Sequence, residues 1–397
     1  VSRVLDRKVE RSRHSPQQTA RRRHPTARRK PPPSAPGQYW ALLALCVALT
    51  MFGLVMVLSA SSVDAFHANQ TPWFYFRKQA LLSAVGLVAM FAISRVDYHK
   101  WRVCVVPLLG LAVAACMFCF VPGVGRTVNG ATSWVDFGGP FQGQPSELLK
   151  LALLLYTADL LARRADRMGD LHSTLYPTLL MLGLGGGIVL LQKDLGTAIV
   201  ITAIVLAVLF AAGSPLRPLL VTAAVATAGG MAMVMSSPAR QQRIFAFLHR
   251  GGDPLNSGYQ LNQALIAMAS GGFTGKGLGQ SLIKWGYLPE AHTDFILAVI
   301  GEELGLVGVA AVVALFACLA VLGTRAALRA PDRFGSLLAG GVTAWIVVQA
   351  SINLGAAVGL LPITGLPLPF ISFGPSSLLC LLVASGLLLS VARQSTS

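Results

Sequence analysis

Long apolar runs broken by short polar stretches recur ten times along this chain, at 39–61, 79–95, 102–122, 147–162, 173–191, 195–213, 217–235, 294–324, 336–360 and 376–393. About 20 apolar residues is what an α-helix needs to cross the hydrocarbon core of a bilayer. The pattern therefore predicts an all-α polytopic membrane protein of about ten transmembrane helices, the membrane domain occupying 39–397. One polar stretch, 236–293, is a large loop between the seventh and eighth helices, too polar to span. Within it, Tyr259-Gln-Leu-Asn-Gln-Ala-Leu-Ile-Ala-Met-Ala269 is amphipathic, as suits a helix that lies at the interface or re-enters. Leu361-Pro-Ile-Thr-Gly-Leu-Pro-Leu-Pro-Phe-Ile-Ser372 is apolar and Pro-rich, suited to a rigid loop in the mouth of a bundle. No internal repeat and no matched pair of broken helices marks a transporter.

Composition agrees: 54% of residues are hydrophobic and 12% charged, against about 25% charged in soluble domains. The net charge of +16 would fit a nucleic-acid binder, but its placement argues against one. Residues 1–38 hold 11 Lys and Arg against only Asp6 and Glu10, and end in Pro31-Pro-Pro-Ser-Ala-Pro36. This reads as a disordered, basic, Pro-rich cytoplasmic tail that sets topology and is drawn to anionic lipid. It is too long and polar for a plain signal peptide, so the first apolar run reads as an uncleaved signal-anchor. With the tail inside, Arg95, Lys100, Arg102, Arg163, Arg164, Arg167, Arg217, Arg325, Arg329, Arg333 and Arg393 all fall on the cytoplasmic side. That is the positive-inside pattern, with both termini cytoplasmic. The large loop then faces outward, and its Arg240, Arg243, Arg250, Lys276 and Lys284 run against the bias; an anionic ligand is the simplest cause. The six cysteines lie in apolar runs, and Cys116-Met-Phe-Cys119 reads as two small core residues and not as a redox pair.

Asp294 stands at the junction of that loop and the eighth run, in Leu288-Pro-Glu-Ala-His-Thr-Asp-Phe-Ile296. It fits two roles: an N-terminal cap for the helix that follows, or a general base for a hydroxyl. His292 and Glu290 flank it, and no second His or Cys completes a metal set. Glu302 and Glu303 lie inside the apolar run, either as functional groups or as partners for a cation or a backbone amide. Lys150 and Glu147, three apart on one helix face, form a salt pair or hold a cation at the outer mouth. Gln192-Lys-Asp-Leu-Gly-Thr197 is a turn exposing Lys193 and Asp194. Gly271-Gly-Phe-Thr-Gly-Lys-Gly-Leu-Gly279 fails the phosphate-loop pattern because Gly277 follows Lys276, and reads as a flexible hinge.

Together these stretches resemble the SEDS family (shape, elongation, division and sporulation). The resemblance rests on Gln144-Pro-Ser-Glu-Leu-Leu-Lys150, Asp194-Leu-Gly-Thr197, Gly258-Tyr-Gln260, Gly275-Lys-Gly-Leu-Gly-Gln-Ser281, the Asp294 motif, Gly301-Glu-Glu-Leu-Gly305 and Gly365-Leu-Pro-Leu-Pro-Phe-Ile-Ser372. Pro289-Glu-Ala-His292 and Gly301-Glu-Glu-Leu-Gly305 lie nearer the division branch, FtsW, than the elongation branch, RodA. The charged, Pro-rich tail would suit an actinobacterial member.

The resemblance implies a SEDS-type bundle and a peptidoglycan glycosyltransferase that polymerises lipid II at the outer face of the cytoplasmic membrane, at the division septum. Transfer would invert the sugar and release undecaprenyl diphosphate. Asp294 takes the place of the family's catalytic aspartate. Lys150, Glu147, Arg243, Lys276, Lys193 and His292 are the expected substrate contacts, while Glu302, Glu303, Gln192 and Asp194 support the cavity. Expected partners are a class B penicillin-binding protein and other divisome proteins, with no nucleic acid. Magnesium or manganese bridging the pyrophosphate is compatible with the chemistry, but the sequence shows no dedicated metal cage. A lipid II flippase and a division-complex scaffold are the rival readings. Three positions depart from the family: Ser133 stands where an Arg usually precedes Trp134, Lys193 replaces a Pro, and Pro375 replaces a Gly. Arg126, seven residues before Ser133, is a candidate substitute for the missing Arg.

Overall fold

The computed structural model describes residues 36–67, 71–128, 130–136, 142–167, 175–248 and 258–395. The basic tail, as far as residue 35, lies outside the described residues, as does Arg250.

Each of the ten apolar runs is a helix: α1 (Pro36–His67), α2 (Phe74–Arg95), α3 (Val105–Phe118), α4 (Pro145–Arg163), α5 (Leu175–Leu191), α6 (Leu195–Ala211), α7 (Leu216–Met235), α10 (Ile296–Leu328), α11 (Arg333–Ala357) and α12 (Pro375–Gln394). A 3₁₀ turn over Tyr98–Cys104 extends α3 to spanning length. Six of these segments are long and apolar enough to cross a membrane, while α5, α6 and most of α7 are shorter apolar helices. The tenth, α4, carries Glu147, Lys150 and Asp159 buried within it. The chain is a multi-pass membrane protein. The large loop adds α8 (Pro238–Leu248) and α9 (Tyr259–Gly271); α8 has no counterpart in the apolar pattern, because a short helix with two arginines looks like loop.

The helices pack α2 along α12, α10 against both α11 and α9, and α11 against α4 and α6. Burial is highest in α4, α12 and α11 and low in α2 and α3, so the first three form the centre and the last two face outward. Connections alternate between the two ends of the bundle. At one end, the Tyr98 hydroxyl donates to Asp332, and Asp159 accepts from Arg102 and Arg163. At the other, Asp294 lies among the longest loops.

A small antiparallel sheet also stands at the Asp294 end: β1 (Gly125–Val128), β2 (Ala131–Asp136) and β3 (Gln142–Gly143). It was not legible as strands, since each is only a few residues long. Its register sets Arg126 directly opposite Trp134, and Arg126 stands 3.9 Å from Asp136. The hairpin thus brings Arg126 to the Trp whose usual neighbour is replaced by Ser133. Pro375 is the first residue of α12, where the missing N–H would have no helical partner.

The Gly-rich segment after α9 is a clasp and not the expected hinge. Helix α10 breaks at Gly305 (φ 65°, ψ −162°), and the segment fills the break. Lys276 N and Gly277 N donate to the carbonyls of Glu302 and Glu303, both at 3.0 Å. In return, Leu306 N donates to Gly272 O at 2.9 Å and Val307 N to Phe273 O at 3.2 Å. Gly275 has φ +81° and a Cβ there would overlap the Glu303 carbonyl. Gly275→Ala should therefore cost roughly 2–4 kcal/mol, from left-handed strain plus overpacking against backbone that cannot yield. Gly279→Ala shares the positive φ but meets open space, so it should cost only about 1 kcal/mol. Thermal unfolding of the purified variants checks this; equal melting temperatures for the two would dismiss the clasp.

Candidate active site

The backbone from Glu290 to Phe295 winds around one carbonyl. Glu290 O accepts from Thr293 N and Asp294 N at 3.2 Å and from Phe295 N at 3.3 Å, with Glu290 itself at φ +60°. Thr293 turns inward and donates to Glu290 Oε2 at 2.8 Å. Neither Thr293 nor Asp294 caps α10, whose N-cap residue is Phe295 with no side-chain cap bond. The cap role left open by the sequence is therefore vacated. Among the described residues, no donor hydrogen-bonds to the Asp294 carboxylate. Its neighbour across the gap is Gly365 (φ +74°), where even an added Cβ would sit 3.6 Å from Oδ2. Gly365 therefore leaves room beside the carboxylate.

Asp294 is partly buried: crowded by neighbouring atoms, yet keeping a solvent-facing opening. Burial, aided by the Glu290 carboxylate, pushes its carboxyl up to about 7, against the opposing pull of Arg243 and His292. Arg243, on α8, is exposed and lines a small groove with Phe247, Leu261 and Leu361. His292 is buried, its ring 4.8 Å from Tyr75 and 5.6 Å from Phe373 between centroids. Its carbonyl accepts from Phe373 N at 3.0 Å.

The other expected residues fall into three separate clusters. Lys150 is fully enclosed (0% exposed), its Nζ 2.8 Å from Glu147 Oε1, 3.2 Å from Gln349 Oε1 and 5.3 Å from the Trp345 ring centroid. Lys276 is held at 2.7 Å by Glu302 Oε1, and Glu302 Oε2 accepts from Ser281 Oγ and from the N–H groups of Leu282 and Ile283. Glu303 accepts from Ser59 Oγ at 2.6 Å and faces Lys284 Nζ at 3.5 Å. These two glutamates anchor the clasp. In the third cluster, Asp194 caps α6 through Thr197 and accepts from Gln144 Nε2 at 3.0 Å. Gln192, buried beside it, donates to Cys116 O and accepts from Thr132 N. Lys193 (φ 65°) is exposed, and its carbonyl receives Arg240 from α8 at 3.0 Å.

Two polar residues beside Asp294 escaped the sequence reading: Gln349 and Asn353, amides buried in the apolar run of α11. Their signal was their spacing, one turn apart inside a membrane helix.

Among the described residues, no three His, Cys, Asp or Glu side chains group as a metal ligand set.

Fold and site together define a polytopic membrane protein with the Asp294 carboxylate, free of hydrogen bonds among the described residues, at the mouth of its bundle. The chain belongs to the FtsW/RodA/SpoVE family, described as cell cycle protein, whose model matches residues 40–397. It is 41% identical to the probable peptidoglycan glycosyltransferase FtsW of Geobacter metallireducens over 89% of this chain and 94% of that one. It is 38% identical to stage V sporulation protein E of Bacillus subtilis over 89% and 96%. Among solved structures, a chain from a peptidoglycan synthase complex that coordinates polymerization and crosslinking superposes with a TM-score of 0.73, at 32% identity, covering 89% of this chain and 97% of that one. The rod shape determining protein RodA of Thermus thermophilus gives 0.65 at 30% identity, covering 90% and 97%.

Proposed function

We propose that Asp294 is the general base of an inverting glycosyl transfer that polymerises lipid II. The chain is a peptidoglycan glycosyltransferase of the FtsW type, and the observation that carries the assignment of its base is the unengaged Asp294 carboxylate. A base must be free to accept a proton and basic enough to take it at neutral pH. Asp294 meets both conditions, with its carboxyl pushed up to about 7.

The 4-hydroxyl of the acceptor sugar attacks the anomeric carbon of the donor and passes its proton to Asp294. The bond from that carbon to the phosphate oxygen breaks, and undecaprenyl diphosphate departs with the electron pair. Converting an α-linked donor to a β-1,4 bond in one displacement needs no protein nucleophile. A pyrophosphate leaves without the general acid that a glycosidase requires, so one carboxylate suffices. Developing charge on the pyrophosphate calls for a cation. Lys150 and Lys276 are matched by Glu147 and Glu302, so we assign this role to Arg243, with Lys193 at the rim. Lys150, Glu147 and His292 then shape the wall of the site. Lys150, Glu302 and Glu303, the charges at membrane depth behind the transport reading, are each paired within the protein.

The arginines at the end opposite Asp294 support cytoplasmic termini and an active site on the outer face of the cell inner membrane. The motif wording supports work at the division septum. Its similarity to a chain from a synthase complex supports a class B penicillin-binding protein as partner, with other divisome proteins around it.

The test is glycan-chain formation from purified lipid II, with and without that partner. Polymer is expected; its absence from folded protein in both conditions overturns the reading. The rate should also rise with pH through about 7. Below that value Asp294 holds a proton and cannot accept another, so activity should fall about tenfold per pH unit. A profile flat from pH 5 to 8 would remove Asp294 as the base.

A further inference from the structure

Gln349 and Asn353 stand one turn apart on α11, and both are almost fully buried. Each reaches the same short backbone stretch beside Asp294. Gln349 Nε2 donates to Pro367 O at 2.9 Å, and Asn353 Nδ2 donates to Leu366 O at 2.7 Å. Their remaining contacts diverge. Gln349 Oε1 accepts from Lys150 Nζ at 3.2 Å and from Trp345 Nε1 at 3.0 Å. The Asn353 amide donates to Asp294 O at 2.9 Å.

We infer that Asn353 is a positioning residue for the transfer, fixing the Asp294 backbone against the 365–367 loop, with Gln349 locking that loop to the Lys150–Glu147 pair. The inference rests on the reading of Asp294 as the base and deepens it.

Three observations support it. The carboxylate makes no hydrogen bond among the described residues, so no hydrogen-bonded partner holds it and its placement depends on how the backbone that carries it is held. Asn353 reaches that backbone from another helix, whereas the Asp294 N to Glu290 O bond is local to one turn. Further, Asn353 Oδ1 is buried with no hydrogen-bond partner. An unmet buried acceptor is unfavourable. It is explained when both amide hydrogens are needed elsewhere, here on Asp294 and Leu366. The titratable groups facing Asp294 are Glu290 and His292 on its own segment and Arg243 from α8. Gly365, Leu366, Pro367, Gln349 and Asn353 contribute none. Loosening Asn353 therefore leaves these charges in place and changes how far the carboxylate is desolvated.

The experiment measures kcat, KM and the pH profile for Asn353→Ala and Asn353→Leu in the lipid II polymerisation assay, normalised to folded protein. Leu keeps the volume and suits an apolar helix, so it decides the matter should Ala fail to fold. The expected result is a kcat lower by about 10- to 100-fold, as a displacement near 1 Å produces, with KM within about threefold of wild type. The acid limb should also move to lower pH, because a carboxylate released toward water regains an ordinary acidity. Wild-type kcat per folded molecule with an unmoved acid limb would overturn the inference and leave Asn353 a packing residue. Asp294→Asn runs alongside. If it retains activity, the base reading itself fails; if it is inactive while both Asn353 variants match wild type, only the positioning role fails.

Discussion

Asp294→Asn should abolish polymerisation and leave the protein folded, with a slightly higher melting temperature above pH 7. General base catalysis is worth roughly 10²- to 10⁴-fold, so turnover should fall by about a thousandfold or more. The fold should survive because no donor among the described residues depends on the carboxylate. The stability change has a definite sign. Asp294 is a carboxyl whose folded pKa is raised to about 7 from an ordinary 3.8. The folded state therefore binds its proton more tightly than the unfolded state does. Stability from this group is fully present below the ordinary value, declines as pH rises, and is lost once pH passes the folded value. Above pH 7 the native protein holds an unfavourable charge that Asn lacks. After discounting for the solvent-facing opening, the gain is about 1–2 kcal/mol. Thermal melting at pH 6 and pH 8 checks the sign: the stabilisation should be larger at pH 8. A variant that polymerises at wild-type rate would remove the proposed mechanism altogether.

Lys150→Met should damage the fold severely. Lys150 and Glu147 are 0% and 1% exposed, and Glu147 Oε2 already lacks a partner. Removing the lysine leaves a carboxylate unpaired in an apolar interior, a loss of about 3–5 kcal/mol. The contact with the Trp345 ring would also go. The double variant Lys150→Met with Glu147→Gln removes both charges together and should recover most of that loss, since a buried pair contributes little beyond its own neutralisation. The yield of monodisperse protein and its melting temperature check this. A single variant that melts within a degree or two of wild type would show that the pair is not what holds α4 against α11. The double variant also tests chemistry. If it folds and still polymerises lipid II, Lys150 acts within the protein. If it folds and is dead, Lys150 is needed for turnover, by touching substrate or by holding Gln349 and the 365–367 loop.

Much of this was determined by sequence alone. The ten apolar runs fixed ten helices because a bilayer sets both the length and the composition of anything that crosses it. The motif around Asp294 singled out a candidate, because an ionisable residue at a membrane boundary is a functional suspect. The sequence could not decide between cap and base, since both need only an acidic residue before a helix. The cap role falls away only in space, where Phe295 is the N-cap residue and Thr293 turns to Glu290. Nor could it tell which cations are available to a substrate. Lys150, Lys276, Arg243 and Lys193 look alike as letters, and only packing pairs two of them with glutamates and leaves Arg243 and Lys193 exposed. The clasp at Gly305 was hidden for the same reason: its hydrogen bonds join residues about 30 apart in sequence, and backbone bonds leave no side-chain signature. Helical periodicity and charge are local properties and can be read along a chain; the pairing of buried charges and the freedom of one carboxylate depend on distant segments, and only the tertiary structure decides them.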